Sequence, residues 1–260
     1  MVTLLIIANI AVFVLEHLFA LIRPELVPTL VHSLALSRDG LLEGRYWQPV
    51  SYMFLHGGIL HLLVNTLGLY FAGREVEGIC GPRHLLGVYF LGGILGGIAQ
   101  LIAGPSTIEI IGASGGVCAV LLAFTTILPE LEITALIFFV LPLRMRAKWL
   151  GRAVIVTSVF FQLFATGHDP VAHGAHLGGA ITGWLYTRRL GYGSPFFFQR
   201  WFRERRQSRR RIDAMSSTEF ISEEIDPILD KIAREGIHSL TRSERRILER
   251  GRDKIANRTK

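Results

Sequence analysis

The chain is built from long apolar runs separated by short polar connections. Six such runs stand out, approximately Val2–Ile22, Met53–Phe71, Leu85–Ala103, Ser114–Leu128, Trp149–Thr166 and Val171–Tyr186. A helix needs roughly 20 apolar residues to cross a hydrocarbon core roughly 30 Å thick, so these runs predict membrane-crossing helices. A seventh run, Ile133–Leu143, is too short for a comfortable span and leads into LRMRAKWLGR, with Arg144, Arg146, Lys148 and Arg152. Crossing would oblige those cations to be translocated, so the positive-inside rule keeps this run at the cytoplasmic face as an interfacial or re-entrant segment.

Composition agrees with this pattern: half of the 260 residues are hydrophobic, 19% are charged, and the mean hydropathy is +0.39. A polytopic membrane protein is the class this implies. The first run lacks a basic n-region and is long enough to span, so it reads as a retained helix rather than a signal peptide. Its abrupt start reads as the absence of a longer N-terminal extension. Most of the formal charge of +7 lies after about residue 190, in QRWFRERRQSRRR (Gln199 to Arg211) and beyond. With six spans both termini share one side, and the basic tail assigns that side to the cytoplasm. Two cysteines, Cys80 and Cys118, do not suggest a disulfide framework.

The resulting organisation is an all-α polytopic membrane domain over residues 1–190 and a basic cytoplasmic tail over 191–260. The tail carries signals for a short helical pair. Asp226 stands as a candidate N-cap with Pro227 at the first helical position and Gly236 past the end, and Thr241 with Glu244 fits a capping box closing at Gly251. The tail's basic residues suit anionic lipid headgroups or a cytoplasmic protein.

Polar side chains inside spans need partners or water and are functional candidates by default. In HGGILHLLVN, His61 and Asn65 are four apart and share a helix face, while His56 lies nearer the outer end and off that face. Interhelical hydrogen bonding is the bland alternative for this pair. Ser114 sits in Gly112-Ala113-Ser114-Gly115-Gly116, where small residues favour close helix contact. The same glycines permit a tight turn at a helix start that exposes a serine oxygen and supplies N–H groups for an oxyanion. The activating base must come from elsewhere. His176, in AHGAHLGGAITGW, lies one turn before a small-residue face formed by Gly179 and Gly183 and would reach Ser114 if that face packs on the fourth run. His173 reads as a solvated loop histidine. The six-span topology brings the starts of the second, fourth and sixth runs, and all these residues, to one outer surface. The histidine spacing in HxxxxH is not that of a helical zinc protease, no HExxH occurs and no acidic residue accompanies these histidines in their runs, so no metal is expected.

Taken together, HxxxxHxxxN (His56, His61, Asn65), GASG (Ser114) and AHxxG (His176, Gly179) resemble the rhomboid family of intramembrane serine proteases, over about Ile6 to Arg188. The resemblance implies a six-helix rhomboid-like bundle and a catalytic dyad of Ser114 as nucleophile and His176 as general base. It also implies oxyanion stabilisation by His61 and Asn65 with the serine's own N–H, and a structural His56. The implied substrates are transmembrane proteins cut at small residues in helices that unwind easily, at the outer side of a bacterial-type plasma membrane, with no cofactor and no nucleic acid. Two positions depart from the family pattern: Gln48 follows Trp47 where many relatives carry Arg, and Cys118 stands four residues after the serine where an aromatic often stacks on the base. The alternative is a non-proteolytic relative that binds membrane clients; a small transporter would need paired charges at mid-span, and none are picked out.

Overall fold

The computed structural model describes residues 1–105, 108–137, 141–164, 171–193, 217–241, 244–245 and 247–248. It divides into two compact units, Met1–Gly193 and Ser194–Lys260. Among the described residues the first contains six long helices: α1 (Val2–Ile22), α5 (Ile59–Cys80), α6 (Pro82–Ala103), α7 (Ser114–Ile127), α8 (Ala147–Phe164) and α9 (His173–Arg189). By length and composition three of these, α1, α6 and α8, suffice to cross a membrane; α5 joins them if its bent approach is counted with it, and α7 is a shorter apolar helix.

The second apolar run does not form one straight helix from Met53. A 3₁₀ turn ends at Phe54, and the chain then bends by 101° before α5 begins at Ile59 and continues to Cys80. Gly57 and Gly58 occupy the bend, and the Gly58 carbonyl accepts the first bond of α5 from the Leu62 N–H (3.1 Å).

Small residues determine how the centre packs. α6, α7 and α9 each pack on the other two, and the three meet at glycines: Gly92 faces Ala119, Gly96 faces the Ala175 carbonyl, and Gly179 and Gly183 face the carbonyls of Gly115 and Ala119. In lipid, where apolar burial does not drive helix association, close backbone approach of this kind supplies van der Waals contact instead. α1 packs on α5 and reaches α6, with buried Asn9 bonded to the Leu5 carbonyl (2.7 Å) and to Tyr89 Oη of α6 (3.4 Å).

The segment between α1 and α5 folds as three short helices, α2 (Val27–Leu34), α3 (Arg38–Leu42) and α4 (Gln48–Ser51). The last carbonyls of a helix lack intrahelical partners. Here side chains from 45–51 supply them. Arg45 and Gln48 donate to the His32 carbonyl (2.9 and 3.1 Å), Trp47 to that of Ser33 (2.9 Å) and Ser51 to that of Leu34 (2.7 Å). Gln48 also accepts from the Ser37 N–H (3.2 Å) and is fully buried. It takes the central place in the loop that the resemblance assigns to arginine. This loop is tied to the approach to α7 by a backbone bridge, Leu36 N to Ile110 O (3.0 Å) and Ile110 N to Leu36 O (2.9 Å).

One element departs from the all-helical expectation. The seventh run is an antiparallel hairpin of β1 (Glu132–Ile137) and β2 (Leu141–Arg146), paired from Glu132↔Arg146 to Ile137↔Leu141. The β-branched and apolar residues of EITALI favour a strand. Ile133, opposite Met145, packs towards the core, while the charged pair Glu132 and Arg146 lies exposed. Glu130 ties the base of the hairpin to Arg146 (2.9 Å) and Lys148 (2.7 Å), and these cations hold its carboxyl below the ordinary range.

In the second unit a helical turn (Ser217–Phe220) and a π-helical turn (Ile221–Ile225) run directly into α10 (Asp226–Glu235). Asp226 therefore lies within continuous helical backbone, at φ −56° and ψ −42°, and is not an N-cap. Gly236 closes α10 at φ +82°. The capping box forms: the Thr241 N–H donates to Glu244 Oε2 (2.6 Å) and the Glu244 N–H to Thr241 Oγ1 (3.3 Å). The arginine-rich stretch Gln199–Arg211 and Gly251 lie outside the described residues.

Candidate active site

Ser114 is the first residue of α7, and its position follows from the glycines around it. Gly112 adopts φ +118°, a left-handed value that an L side chain rarely tolerates. It also has no room for one: a Cβ there would stand 2.6 Å from His61 Cε1 and 2.7 Å from Nε2. The turn is pinned by the Gly112 N–H, which donates to the Tyr52 carbonyl (2.9 Å), while Tyr52 Oη donates to the Gly93 carbonyl on α6 (2.6 Å). After the serine, Gly116 passes so close to the Tyr89 carbonyl that a Cβ would approach it to 2.7 Å. A serine at the first turn of a helix has neighbouring N–H groups without intrahelical partners, the arrangement that receives negative charge.

His176 sits in the first turn of α9. Its Nε2 lies 2.7 Å from Ser114 Oγ, bridging the α7–α9 seam across 62 residues of sequence. For Nε2 to accept the hydroxyl proton, the ring proton must sit on Nδ1; this tautomer follows from geometry. Among the described residues no carboxylate hydrogen-bonds His176. The start of α9 is itself held from α6: buried Gln100 accepts from the Ala175 N–H (3.3 Å).

His61, in the first turn of α5, lies against Gly112. Asn65 is one helical turn further, 4% exposed, and donates through Nδ2 to the His61 carbonyl (3.0 Å). That uses one of its two amide protons. His56 is in the bend, not on α5; its Nδ1–H donates to the Phe54 carbonyl (3.2 Å), and its ring meets that of His61 edge-on with centroids 5.1 Å apart. The geometry thus brings Ser114 and His176 into direct contact, with His61 against Gly112, two residues before the serine, and His56 and Asn65 each joined to His61.

Cys118 is a free, half-buried thiol one turn below Ser114. One placement differs from the sequence reading. His173 is not a loop residue: it opens α9, its ring stands edge-on to His176 (centroids 5.9 Å, 88°), and it stacks on Phe161 of α8 (5.0 Å, 18°). Only the three-residue offset from His176 hinted at this neighbour, since Phe161 comes from another helix. Glu16 and His17 lie within α1 and were not singled out; His17 Nδ1 bonds the Phe13 carbonyl (2.9 Å). Among the described residues no group of three or more His, Cys, Asp or Glu side chains is placed to hold a metal ion.

Comparison with known proteins adds a lineage. Residues 43–193 match the rhomboid domain family, and residues 221–251 match a family of unknown function (DUF6576). The chain is 30% identical over 164 residues to "Rhomboid protease GluP" of Bacillus subtilis (strain 168), covering 63% of this chain and 30% of that protein. It is 27% identical over 206 residues to "RHOMBOID-like protein 12, mitochondrial" of Arabidopsis thaliana, covering 73% and 58%. It is 35% identical over 75 residues to "Inactive RHOMBOID-like protein 8" of the same plant, covering 28% and 21%. The chain spans between 30% and 58% of the length of the first two relatives.

Proposed function

The chain belongs to the rhomboid family, and on that premise we propose that this integral membrane protein is a serine endopeptidase that cleaves membrane-embedded segments of other proteins. Ser114 Oγ attacks the scissile carbonyl carbon as its proton passes to His176 Nε2. The oxyanion accepts hydrogen bonds from the Ser114 N–H and from the His61 and Asn65 side chains. Collapse expels the amine, which takes the proton from His176, and leaves an acyl-enzyme. Water then attacks the ester with His176 again as base, freeing the acid and restoring Ser114. His56 supports the ring of His61. The residues present need no metal or cofactor for these steps.

The observation that carries this reading is the 2.7 Å contact between Ser114 Oγ and His176 Nε2. It also favours proteolysis over the client-binding alternative, which has no use for an aligned nucleophile and base. Depth is consistent with it. At about 1.5 Å per residue the 14 residues of α7 span only about 21 Å, less than the hydrocarbon thickness. Ser114 then lies below the outer surface, with the irregular backbone before it shielded by protein, as non-helical backbone at membrane depth requires.

In this reading the six long helices all cross the membrane, both termini and the tail (191–260) are cytoplasmic, and the site opens outward from a bacterial-type plasma membrane. α5 and α8 both pack on α7 but not appreciably on each other, so a substrate segment enters between them. Helical substrates must unwind there, because a helical amide is closed to attack.

The test is labelling of the detergent-solubilised protein by a fluorophosphonate, with Ser114→Ala and His176→Ala beside the wild type. Labelling of the wild type alone is expected; equal labelling of Ser114→Ala would sink the assignment.

A further inference from the structure

The Ser114–His176 contact fixes one atom of the imidazole, Nε2, and leaves the ring free to swing about it. A second contact is needed to fix the ring plane. Where an aromatic four residues after the serine would serve, this chain has the small thiol of Cys118, which offers no ring to stack. The edge of His173 meets the His176 ring instead, at 5.9 Å and 88°. His173 is in turn held flat against Phe161 at 5.0 Å and 18°. Phe161 lies in the last turn of α8, the helix that with α5 borders the opening proposed for substrate. Its neighbour Gln162 lies with Oε1 against Gly174 of α9, where a Cβ would stand 3.0 Å from it, and donates a long bond to the Ala103 carbonyl (3.4 Å), while the aromatic stack reaches the ring next to His176.

We propose that Phe161 and His173 are positioning residues: Phe161 holds the His173 ring, and His173 holds the His176 imidazole in the plane from which Nε2 takes the Ser114 proton. The seat of α8 and the alignment of the base are thereby one linked property. The inference rests on the Ser114–His176 reading above.

The experiment measures the rate of phosphonylation by a fluorophosphonate, in which Ser114 Oγ attacks phosphorus, fluoride leaves and His176 takes the proton. It uses the full chain in detergent, with KM for a transmembrane substrate measured in liposomes. Phe161→Ala and His173→Ala each slow phosphonylation about tenfold, the rate equivalent of one aromatic contact. The double variant is no slower than His173→Ala, because the two act in series. Phe161→Tyr and His173→Phe, which keep the stack, recover most of the rate, and KM stays within about twofold of the wild type, since ground-state binding is untouched. A wild-type rate in Phe161→Ala, a multiplicative double variant, or a loss confined to KM overturns the proposal while leaving the Ser114–His176 reading intact. Absence of Ser114-dependent labelling in the wild type itself overturns both.

Discussion

Gly179 on α9 lies against the carbonyl oxygen of Gly115 on α7, so close that a Cβ on Gly179 would overlap it. The two residues flank the Ser114–His176 contact: Gly115 follows Ser114, and Gly179 is three residues past His176. The spacing of the helices at this seam is the spacing of the proposed nucleophile and base. Gly179→Ala therefore forces the backbones apart and is expected to cost about 1–3 kcal/mol of stability. It lowers the melting temperature in detergent and abolishes fluorophosphonate labelling. Gly78→Ala, where a Cβ would meet nothing within 4 Å, serves as the control and keeps both.

Gln48 is expected to matter to the loop and not to the chemistry. Its amide accepts from the Ser37 N–H and donates to the His32 carbonyl while fully buried. Gln48→Ala leaves those backbone groups without this partner, at a cost of about 1–3 kcal/mol. The melting temperature falls, while phosphonylation at low temperature keeps the wild-type order of magnitude. A variant with wild-type stability would show that Arg45, Trp47 and Ser51 suffice to hold the end of α2.

The limits of legibility follow from the range of each signal. Long apolar runs announced α1, α6 and α8, because the need to satisfy backbone groups in lipid leaves helices as the only open spanning form. Ser114 and His176 were legible through glycine: only a tight turn and a close seam explain GASGG and HxxGxxxG in apolar surroundings. The bend at His56 was not, since apolar residues continue through it and hydropathy does not register direction. The hairpin was hidden because a short apolar run has no periodicity that separates strand from helix. Asp226 carried a true capping signature that was overridden by helix continuing from upstream. The Phe161–His173 stack joins two helices and had no local signal at all.

Asn65 separates transition-state stabilisation from packing. One of its amide protons goes to the His61 carbonyl, and the proposed mechanism gives the other to the oxyanion. Asn65→Ala is expected to lower kcat on a transmembrane substrate about 10²-fold, the usual effect of losing one oxyanion donor. KM changes little, because the bond strengthens only as charge develops on the oxygen. If kcat is preserved and only the melting temperature falls, Asn65 is interhelical glue.

The tail offers a pH prediction whose sign is determined by Glu244. The Thr241 N–H first, then Lys231 at 2.9 Å and the Thr241 hydroxyl, draw its carboxyl down from the ordinary 4.5 to about 2. A depressed folded-state value means that the unfolded segment binds the proton more readily, so the contribution is complete above about 4.5 and disappears as pH falls through about 2. The Lys231–Glu244 pair is only partly buried, so the effect is local fraying at Thr241 and Glu244, not unfolding of the chain. Amide exchange of the full-length protein, corrected for the intrinsic pH dependence, should show protection at Thr241 and Glu244 declining across that window. Glu244→Gln keeps a side-chain acceptor for the box but removes both the charge and its titration, so its protection should be lower at neutral pH and flat across the window. A wild-type profile equally flat would place the capping box outside the forces that hold this turn.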